Sequence, residues 1–428
     1  MNSYLTSTSP DSLAGIIFAY EGISGCVVLL NGPTGCKYYH SAVSDEQIIR
    51  QLEFDPLQFP EKFYFGQPRV PCTYLDNHDY VFGSTDKLEE AITYIRDNVN
   101  FDLLCIVNSP GAALIGDDLT GIVSRLITNK PVVTVETPGY SSDICKGYET
   151  AVLHLINQLS LTHGPVSPSV NILGLSLFHR NCTGDIIELK RLLELCGITV
   201  NCVLCADCDI NSIRKLPDAA LNIVIHPEYA LETAKHLNQL FDTDYYVCNG
   251  PPIGFSATEA FINDICSKLG ADNSKFKEHC ERSRARAFSF ISRINSLTGM
   301  PRGVTFAVEG TYSEIYSYTS FLVQYFGMIP VCASVINSDS DCFRDELYML
   351  YKGFGLSNAL KQDIMETNAE MVFASGNTVA GLNLRKHSFY GIETALPTLG
   401  YIDVIPKTHL GTQGALLLVE HVLNAMPY

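Results

Sequence analysis

The first segment that could carry chemistry is the turn Asn31-Gly-Pro-Thr-Gly35, which follows an apolar run and leads into Cys36. Its glycines permit a tight turn and close backbone approach. We expect Cys36 to open the next helix, where unpaired N–H groups and the helix dipole favour the thiolate form that iron or zinc binds. The alternative is a phosphate-binding turn with an incidental cysteine. Against it, Gly35-Cys-Lys-Tyr replaces the Gly-Lys-Ser/Thr of a Walker A motif, and no G-x-G-x-x-G occurs here.

Cys72 is the second candidate metal ligand, in the proline-punctuated loop 68–76. Loops held by flanking sheets often carry functional residues. The alternative is that Cys72 packs beneath its own loop.

The densest cysteine string, Cys202-Val-Leu-Cys-Ala-Asp-Cys208, resembles part of a ferredoxin motif. That motif needs a fourth cysteine, and Ser212 stands in its place. Cys202 and Cys205 also point to opposite faces if the segment is a strand. We therefore predict that these thiols pack in the core, as do the cysteines that occur singly elsewhere.

Two further polar positions lie where elements begin. Asp117 or Asp118 can cap the helix that continues to Leu126, which is the more ordinary role for an aspartate there. His409 precedes the last helix, where it is either a site residue or a simple loop residue.

Apolar β-rich runs alternate with amphipathic helical patterns along the whole chain, which predicts an α/β fold of parallel sheets flanked by helices. Chemistry in such folds lies at the carboxyl ends of strands. The predicted helices include 86–98, 184–196, 256–269 and 313–326. The predicted strands are 27–31, 103–108, 132–136, 170–175, 199–205, 221–225, 245–249, 304–309, 329–334, 370–374 and 402–405.

Turn-rich breaks divide the chain into three predicted domains: 1–163 with the Cys36 turn, 164–300, and 301–428. The length of 428 residues fits several domains with their own cores. Charged residues are 18% of the chain, against about 25% in an average protein, so large subunit interfaces are expected.

Composition also excludes some functions. The net charge is −17 without a basic cluster, so nucleic acid is not an expected partner. No apolar run approaches the ~18 residues of a membrane span, and the N-terminus carries no secretory signal. The predicted location is cytoplasmic, where cysteines stay reduced.

Read together, five segments resemble motifs of the nitrogenase component 1 superfamily, in the same order and over nearly the whole chain. Asn31-Gly-Pro-Thr-Gly-Cys36 is similar to the family's His-Gly-Pro-x-Gly-Cys turn. The other four segments are Asp79–Gly83 with Lys87–Ile92, similar to a family strand and helix, Leu114–Asp118, Pro252–Thr258 and Gly411–Leu416.

The resemblance implies three Rossmann-like domains and a homodimer, heterodimer or heterotetramer with a related component 1 subunit. It also implies an iron–sulfur cluster at the subunit interface, an ATP-dependent iron protein that supplies low-potential electrons, and a small-molecule substrate. Cys36 matches the family's cluster ligand. The residues that would surround the cofactors are Gly32, Gly35, Asn108, Ser109 and His409.

Two family cysteines have no counterpart: their positions fall near Pro10 and Asp11, and near Ser109 or Pro110. We therefore expect a [4Fe–4S] cluster rather than an eight-iron cluster, with Cys36 and Cys72 from each of two subunits as ligands. Cys205 and His409 match the ligands of a second metallocofactor only roughly, so dinitrogen reduction is not expected. The alternatives to a redox enzyme are a metallocofactor-assembly scaffold and a cluster-free binding protein of the same fold.

Overall fold

The computed structural model describes residues 10–37, 40, 43, 70–136, 142–337, 339–385 and 388–425. Three parallel β-sheets form its framework, in the strand orders β2-β3-β4, β6-β5-β8-β9 and β11-β10-β12-β13, with β1 paired to β7. The strands are β1 Ile23–Ser24, β2 Cys26–Asn31, β3 Leu103–Asn108, β4 Val132–Val135, β5 Ser167–Leu173, β6 Thr199–Val203, β7 Cys208–Asp209, β8 Ala219–Val224, β9 Tyr245–Val247, β10 Thr305–Gly310, β11 Ile329–Val335, β12 Met371–Ser375 and β13 Tyr390–Ala395.

Helices connect the strands and cover the sheets, which confirms the predicted α/β class. They are α1 Ser12–Glu21, α2 Asn77–Phe82, α3 Thr85–Asn98, α4 Pro110–Ile115, α5 Leu119–Leu126, α6 Ile144–Gln158, α7 Cys182–Leu195, α8 Ile210–Arg214, α9 Pro227–Phe241, α10 Phe255–Leu269, α11 Ser274–Thr298, α12 Tyr312–Phe326, α13 Arg344–Gly353, α14 Gly376–Leu384 and α15 Gly411–Asn424. Within the described residues, no helix is long and apolar enough to cross a bilayer.

The first sheet shows why continuous apolar runs become buried parallel strands. Successive side chains of a strand point to opposite faces, and here both faces are covered. In β2, Val28 and Leu30 join the large core that includes α1 and α6. Val27 and Leu29 face a smaller core formed with α3 and α5. Because apolar side chains cover both faces of β2, polar and apolar residues do not alternate along it.

Each sheet lies within one of the three predicted domains, whose boundaries stay predictions. The last helix does not stay with the third sheet. Helix α15 packs against α7, α10 and α11, which flank the second sheet. At its start, the Gly411 N–H donates to the Pro252 carbonyl at 2.9 Å. The C-terminal helix therefore ties the second and third sheets together.

Two predicted elements are wrong. Residues 402–405 form no strand but an irregular loop in which Ile402 and Val404 are 88% and 87% exposed. The fourth strand of that sheet is instead β13. Residues 79–82, matched to a family strand, belong to helix α2. Short apolar runs do not distinguish a buried strand from a helix or an exposed loop, because the distinction depends on what packs against them.

Candidate functional site

The carboxyl ends of β2 and β3 place the Cys36 turn at one edge of the first sheet. Strands β2 and β3 pair in register up to Asn31 and Asn108. The turn then passes through the 3₁₀ helix Thr34–Lys37, which contains Cys36. Gly32 lies so close to the next connection that a Cβ there would be 2.5 Å from the Ser109 Oγ. Gly32 is therefore required by packing, whereas Gly35 has open space around it.

A separate extended segment brings Cys72 to the same edge. It runs parallel to the end of β2 through a bridge between Leu30 and Cys72. The Leu30 N–H donates to the Pro71 carbonyl, and the Thr73 N–H donates to the Leu30 carbonyl, both at 3.0 Å. Cys72 thus comes beside the Cys36 turn, as the proposed ligand pair requires.

A buried polar network holds these connections in place. The Thr73 hydroxyl accepts from the Gly32 N–H at 2.9 Å and donates to the Asn31 Oδ1 at 2.8 Å. The Asn31 side-chain amide donates to the Asn108 Oδ1 at 2.9 Å. All of these side chains are nearly inaccessible to water. The network fixes the three segments relative to one another because buried polar groups are costly to leave unpaired.

Cys36 lies at this edge and is half-buried, whereas Cys72 is buried. Burial raises the pKa of the thiol; the Ser109 hydroxyl opposes that shift, and the negative charge of Asp11 adds to it. The expectation that the helix start favours a thiolate is therefore wrong for the chain alone. Cys36 lies inside a short 3₁₀ turn, and its own N–H donates to the Pro33 carbonyl at 3.1 Å.

Cys72 is completely buried. Its Sγ is 3.5 Å from the Thr34 hydroxyl, which belongs to the Cys36 turn. A half-buried cysteine at the edge of the sheet fits a cluster ligand at an interface, and the Ser109 hydroxyl and the Asp11 carboxylate lie near the Cys36 thiol. Because the Thr34 hydroxyl lies beside the Cys72 Sγ, Cys72 fits as an inner ligand only if Thr34 leaves room there for an iron or moves away.

Exposed apolar side chains surround the edge. Val81 and Phe82 of α2 are 73% and 75% exposed, and Leu114 of α4 is 78% exposed. Helices α2 and α4 contact each other beside Ser109. We call these three residues the apolar rim. Large exposed apolar side chains on neighbouring helices are what a surface that binds another protein would present.

His409 belongs to a different region of the molecule. It is buried in the cleft between the second and third sheets, where its Nδ1 lies 2.6 Å from the Tyr318 hydroxyl. The backbone N–H of His409 donates to Asp185 at 3.3 Å, and Asp185 also accepts from the Thr408 hydroxyl at 2.6 Å. Burial raises the pKa of Asp185 to about 7 and lowers the pKa of His409 well below 6.5. His409 is therefore a cleft residue, held by partners from the second and third sheets.

The cleft contains two neighbouring spaces of about 50 Å³ and 510 Å³. Both are lined by His179, Arg180 and Asn181, and the larger is also lined by the apolar loop 396–407. Arg180 is paired with Asp403 at 2.9 Å. The larger space is wide enough for a small molecule.

The remaining sequence candidates have structural roles. Cys202, Cys205 and Cys208 are buried in the core, as predicted. Asp118 caps α5 by accepting from the Gly121 N–H at 2.8 Å. Asp117 instead accepts from the Ser84 N–H and hydroxyl at the start of α3.

The fold has three parallel sheets, and a turn with a cysteine follows the carboxyl end of a strand. Both features agree with the class of redox protein that the sequence motifs predict. The family description "Nitrogenase component 1 type Oxidoreductase" matches residues 12–426. The chain therefore belongs to the nitrogenase component 1 type oxidoreductase family.

Individual relatives agree. The B subunit of the light-independent protochlorophyllide reductase of Synechococcus sp. strain WH7803 is 26% identical over 374 residues, which are 83% of this chain and 69% of the relative. Its counterpart in strain CC9605 is 24% identical over 374 residues, covering 83% and 70%. The fold is similar to that of nitrogenase Cp1 at pH 6.5, with a TM-score of 0.80 and 19% identity over 98% of this chain and 93% of the other.

Proposed function

We propose that this chain is a catalytic component 1 subunit that holds an iron–sulfur cluster at a subunit interface. The cluster passes low-potential electrons from an ATP-dependent iron protein to a small-molecule substrate. The observation that carries the proposal is the arrangement at the edge of the first sheet, where the half-buried Cys36 and the buried Cys72 lie near helices that bear the exposed apolar rim.

The ligand count argues for a partner chain. One chain offers Cys36 and Cys72 at this edge, whereas a [4Fe–4S] cluster takes four ligands. A two-fold axis through the edge would supply four thiolates from two copies. A related subunit with three cysteines would need only Cys36 from this chain. The bound cluster would supply one-electron transfer.

This chain's own residues would hold and shield that group. Burial disfavours the free Cys36 thiolate, and the positive charge of a bound iron would compensate that cost. The Ser109 hydroxyl accepts from the Ala112 N–H at 3.2 Å, as the cap of α4, which leaves its O–H to donate toward the Cys36 sulfur. Hydrogen bonds to ligand sulfurs raise the reduction potential of iron–sulfur clusters. The apolar rim would exclude water once a partner covers it.

The small-molecule substrate is assigned to the cleft near His409, whose larger space opens between the second and third sheets. This follows the rule that ligands of α/β proteins bind where several connecting loops meet.

The proposal is tested on anaerobically purified protein, alone and mixed with a related subunit. We expect iron and acid-labile sulfide in near-equal amounts and bleaching of the visible absorbance by a reduced iron protein with MgATP. Iron without bleaching would favour an assembly scaffold. Absence of iron in every mixture would contradict the proposal.

Cys72→Ser separates the two ligand arrangements. In the symmetric arrangement the variant loses most of its iron, because two protein ligands do not retain four irons. If a partner supplies three cysteines, the variant keeps near-normal iron. A cysteine in the core of the second sheet, Cys202, gives the matched control, since Cys202→Ser changes a buried thiol away from the edge.

A further inference from the structure

The deep end of the cleft holds three groups that the proposed function does not use: His179, His226 and Glu314. One potential ligand atom from each lies within 4.8 Å of the others, and they form the one such His/Cys/Asp/Glu group in the part of the chain that the structure describes. They come from the loop before α7, the residue before α9 and the first turn of α12. Only the packing of the second and third sheets brings them together.

Two ring nitrogens of this group are buried without a hydrogen-bond partner: the His179 Nε2 and the His226 Nδ1. His226 is only 4% exposed. Burial lowers the pKa of both imidazoles to about 3, so both rings are neutral at pH 7. Buried polar atoms without partners are rare, and an ion is one of the few explanations for them.

The hydrogen bonding of His179 decides which of its atoms can act. The Ser176 N–H donates to the His179 Nδ1 at 3.1 Å. A neutral imidazole that accepts at Nδ1 carries its proton on Nε2. The two rings also stack, with centroids 4.1 Å apart and planes inclined by 26°, so their in-plane lone pairs do not converge well. His179 therefore offers a donor, Nε2–H, and not a metal-binding lone pair.

His226 and Glu314 do offer lone pairs. The His226 Nδ1 is 3.9 Å from the Glu314 Oε1. The other carboxylate oxygen, Oε2, accepts from the Thr311 N–H at 2.9 Å, which fixes the carboxylate in the capping box of α12. Nitrogen and oxygen ligands each lie about 2.0–2.2 Å from a zinc-like ion, so two of them on one ion are about 3–4 Å apart.

We propose that His226 and Glu314 bind a single divalent transition-metal ion in the cleft, and that His179 donates a hydrogen bond to an oxygen ligand of that ion. Imidazole and carboxylate ligands without thiolate suit zinc, iron(II), cobalt or nickel. With two protein ligands, the remaining coordination positions would be open for water or for an oxygen of a cleft-bound molecule. The site shares no residue with the Cys36 edge, so it can be tested independently of the iron–sulfur cluster.

The test is titration of the full-length, cysteine-reduced chain with Co²⁺, followed by visible absorption and equilibrium dialysis. Cobalt bound by nitrogen and oxygen lacks the near-ultraviolet charge-transfer band that thiolates give, which separates this site from the fifteen cysteines. We expect one such Co²⁺ per chain. His226→Ala and Glu314→Gln should each weaken it at least tenfold, and the glutamine can still accept from the Thr311 N–H.

His236, in the helix that follows His226, supplies the control, and His236→Ala should leave cobalt binding unchanged. His179→Ala should weaken binding only a few-fold, because it removes a donor and not a ligand. Thermal unfolding of each variant confirms that it is folded. Cobalt binding that is absent, or that survives His226→Ala, overturns the site. A loss in His179→Ala equal to that in His226→Ala overturns the role given to His179.

Discussion

The reactive groups at the edge of the first sheet and those in the cleft between the other two sheets differ in how far they are enclosed. At the edge, the Cys36 thiol is half-buried beside the exposed apolar rim. In the cleft, His226 and His409 are enclosed by elements of two sheets. A reactive group beside bare apolar surface needs another protein to complete its surroundings. The cleft is lined by residues of this chain, so its side chains do not need a second protein to complete their surroundings.

The largest effect is expected from a variant that prevents the edge of the first sheet from binding a partner. Phe82→Asp places a carboxylate in the apolar rim, and burying an unpaired charge costs several kcal/mol. We expect the variant to lose association with a second component 1 chain, measured by sedimentation. Phe288→Asp is the control, because Phe288 is also largely exposed, at 65%, but lies on α11. Equal loss in both variants would refute the assignment of the interface to the rim.

The polar network behind the edge predicts the next largest effect. Thr73→Val leaves the Gly32 N–H and the Asn31 Oδ1 without their partner, and should lower the free energy of unfolding by about 1–3 kcal/mol. Urea denaturation measures this. Thr162→Val, at an exposed threonine in a loop, should change it by less than about 0.5 kcal/mol. If the two variants are equally stable, the network does not hold the edge.

The pH dependence of the free energy of unfolding tests the ionisation of Asp185 in the cleft. The pKa of Asp185 is about 7 in the folded chain, against an ordinary 3.8, because the carboxyl is buried. The folded state then binds more protons than the unfolded state between pH 4 and 7, so this group makes the free energy of unfolding fall as pH rises. Asp185→Asn keeps an acceptor for the Thr408 hydroxyl and cannot titrate.

We expect the free energy of unfolding to fall from pH 5 to 7.5 by about 1–3 kcal/mol more in the wild type than in Asp185→Asn. Denaturant titrations at the two pH values measure the difference. Parallel curves would show that Asp185 ionises normally in the folded cleft.

The sequence predicts more of the edge of the first sheet than of the cleft. The edge depends on contiguous signals: an apolar strand, a glycine turn and Cys36. All but one of the predicted strands are confirmed to within a few residues. The pairing of Cys72 with the end of β2 could only be assumed, because a backbone bridge between distant segments leaves no periodic pattern.

Sequence reasoning missed the group in the cleft. His179, His226 and Glu314 are separated by about fifty to ninety residues and occur in no motif. The available signal was a histidine two residues after the end of β8, at the carboxyl end of a parallel strand. The thiolate expectation at Cys36 failed for a related reason: burial by neighbouring segments outweighed the local helix effect.

The smallest predicted effect concerns that thiol. The charge of Asp11 raises the pKa of Cys36, so Asp11→Asn should lower it. The asparagine can still cap α1 by accepting from the Ala14 N–H. The pH profile of alkylation of Cys36 in cluster-free protein measures the shift, with Asp207→Asn, at an exposed aspartate, as control. An unchanged profile would place Asp11 outside the surroundings of Cys36.

The most direct test of the account is the iron content of Cys36→Ala. The variant is purified without oxygen, together with whichever component 1 chain associates with the wild type, and compared with Cys205→Ala, which removes a core thiol. We predict that Cys36→Ala loses the iron and the visible absorbance, while Cys205→Ala keeps both. Wild-type iron in Cys36→Ala would contradict the claim that this edge holds the cluster.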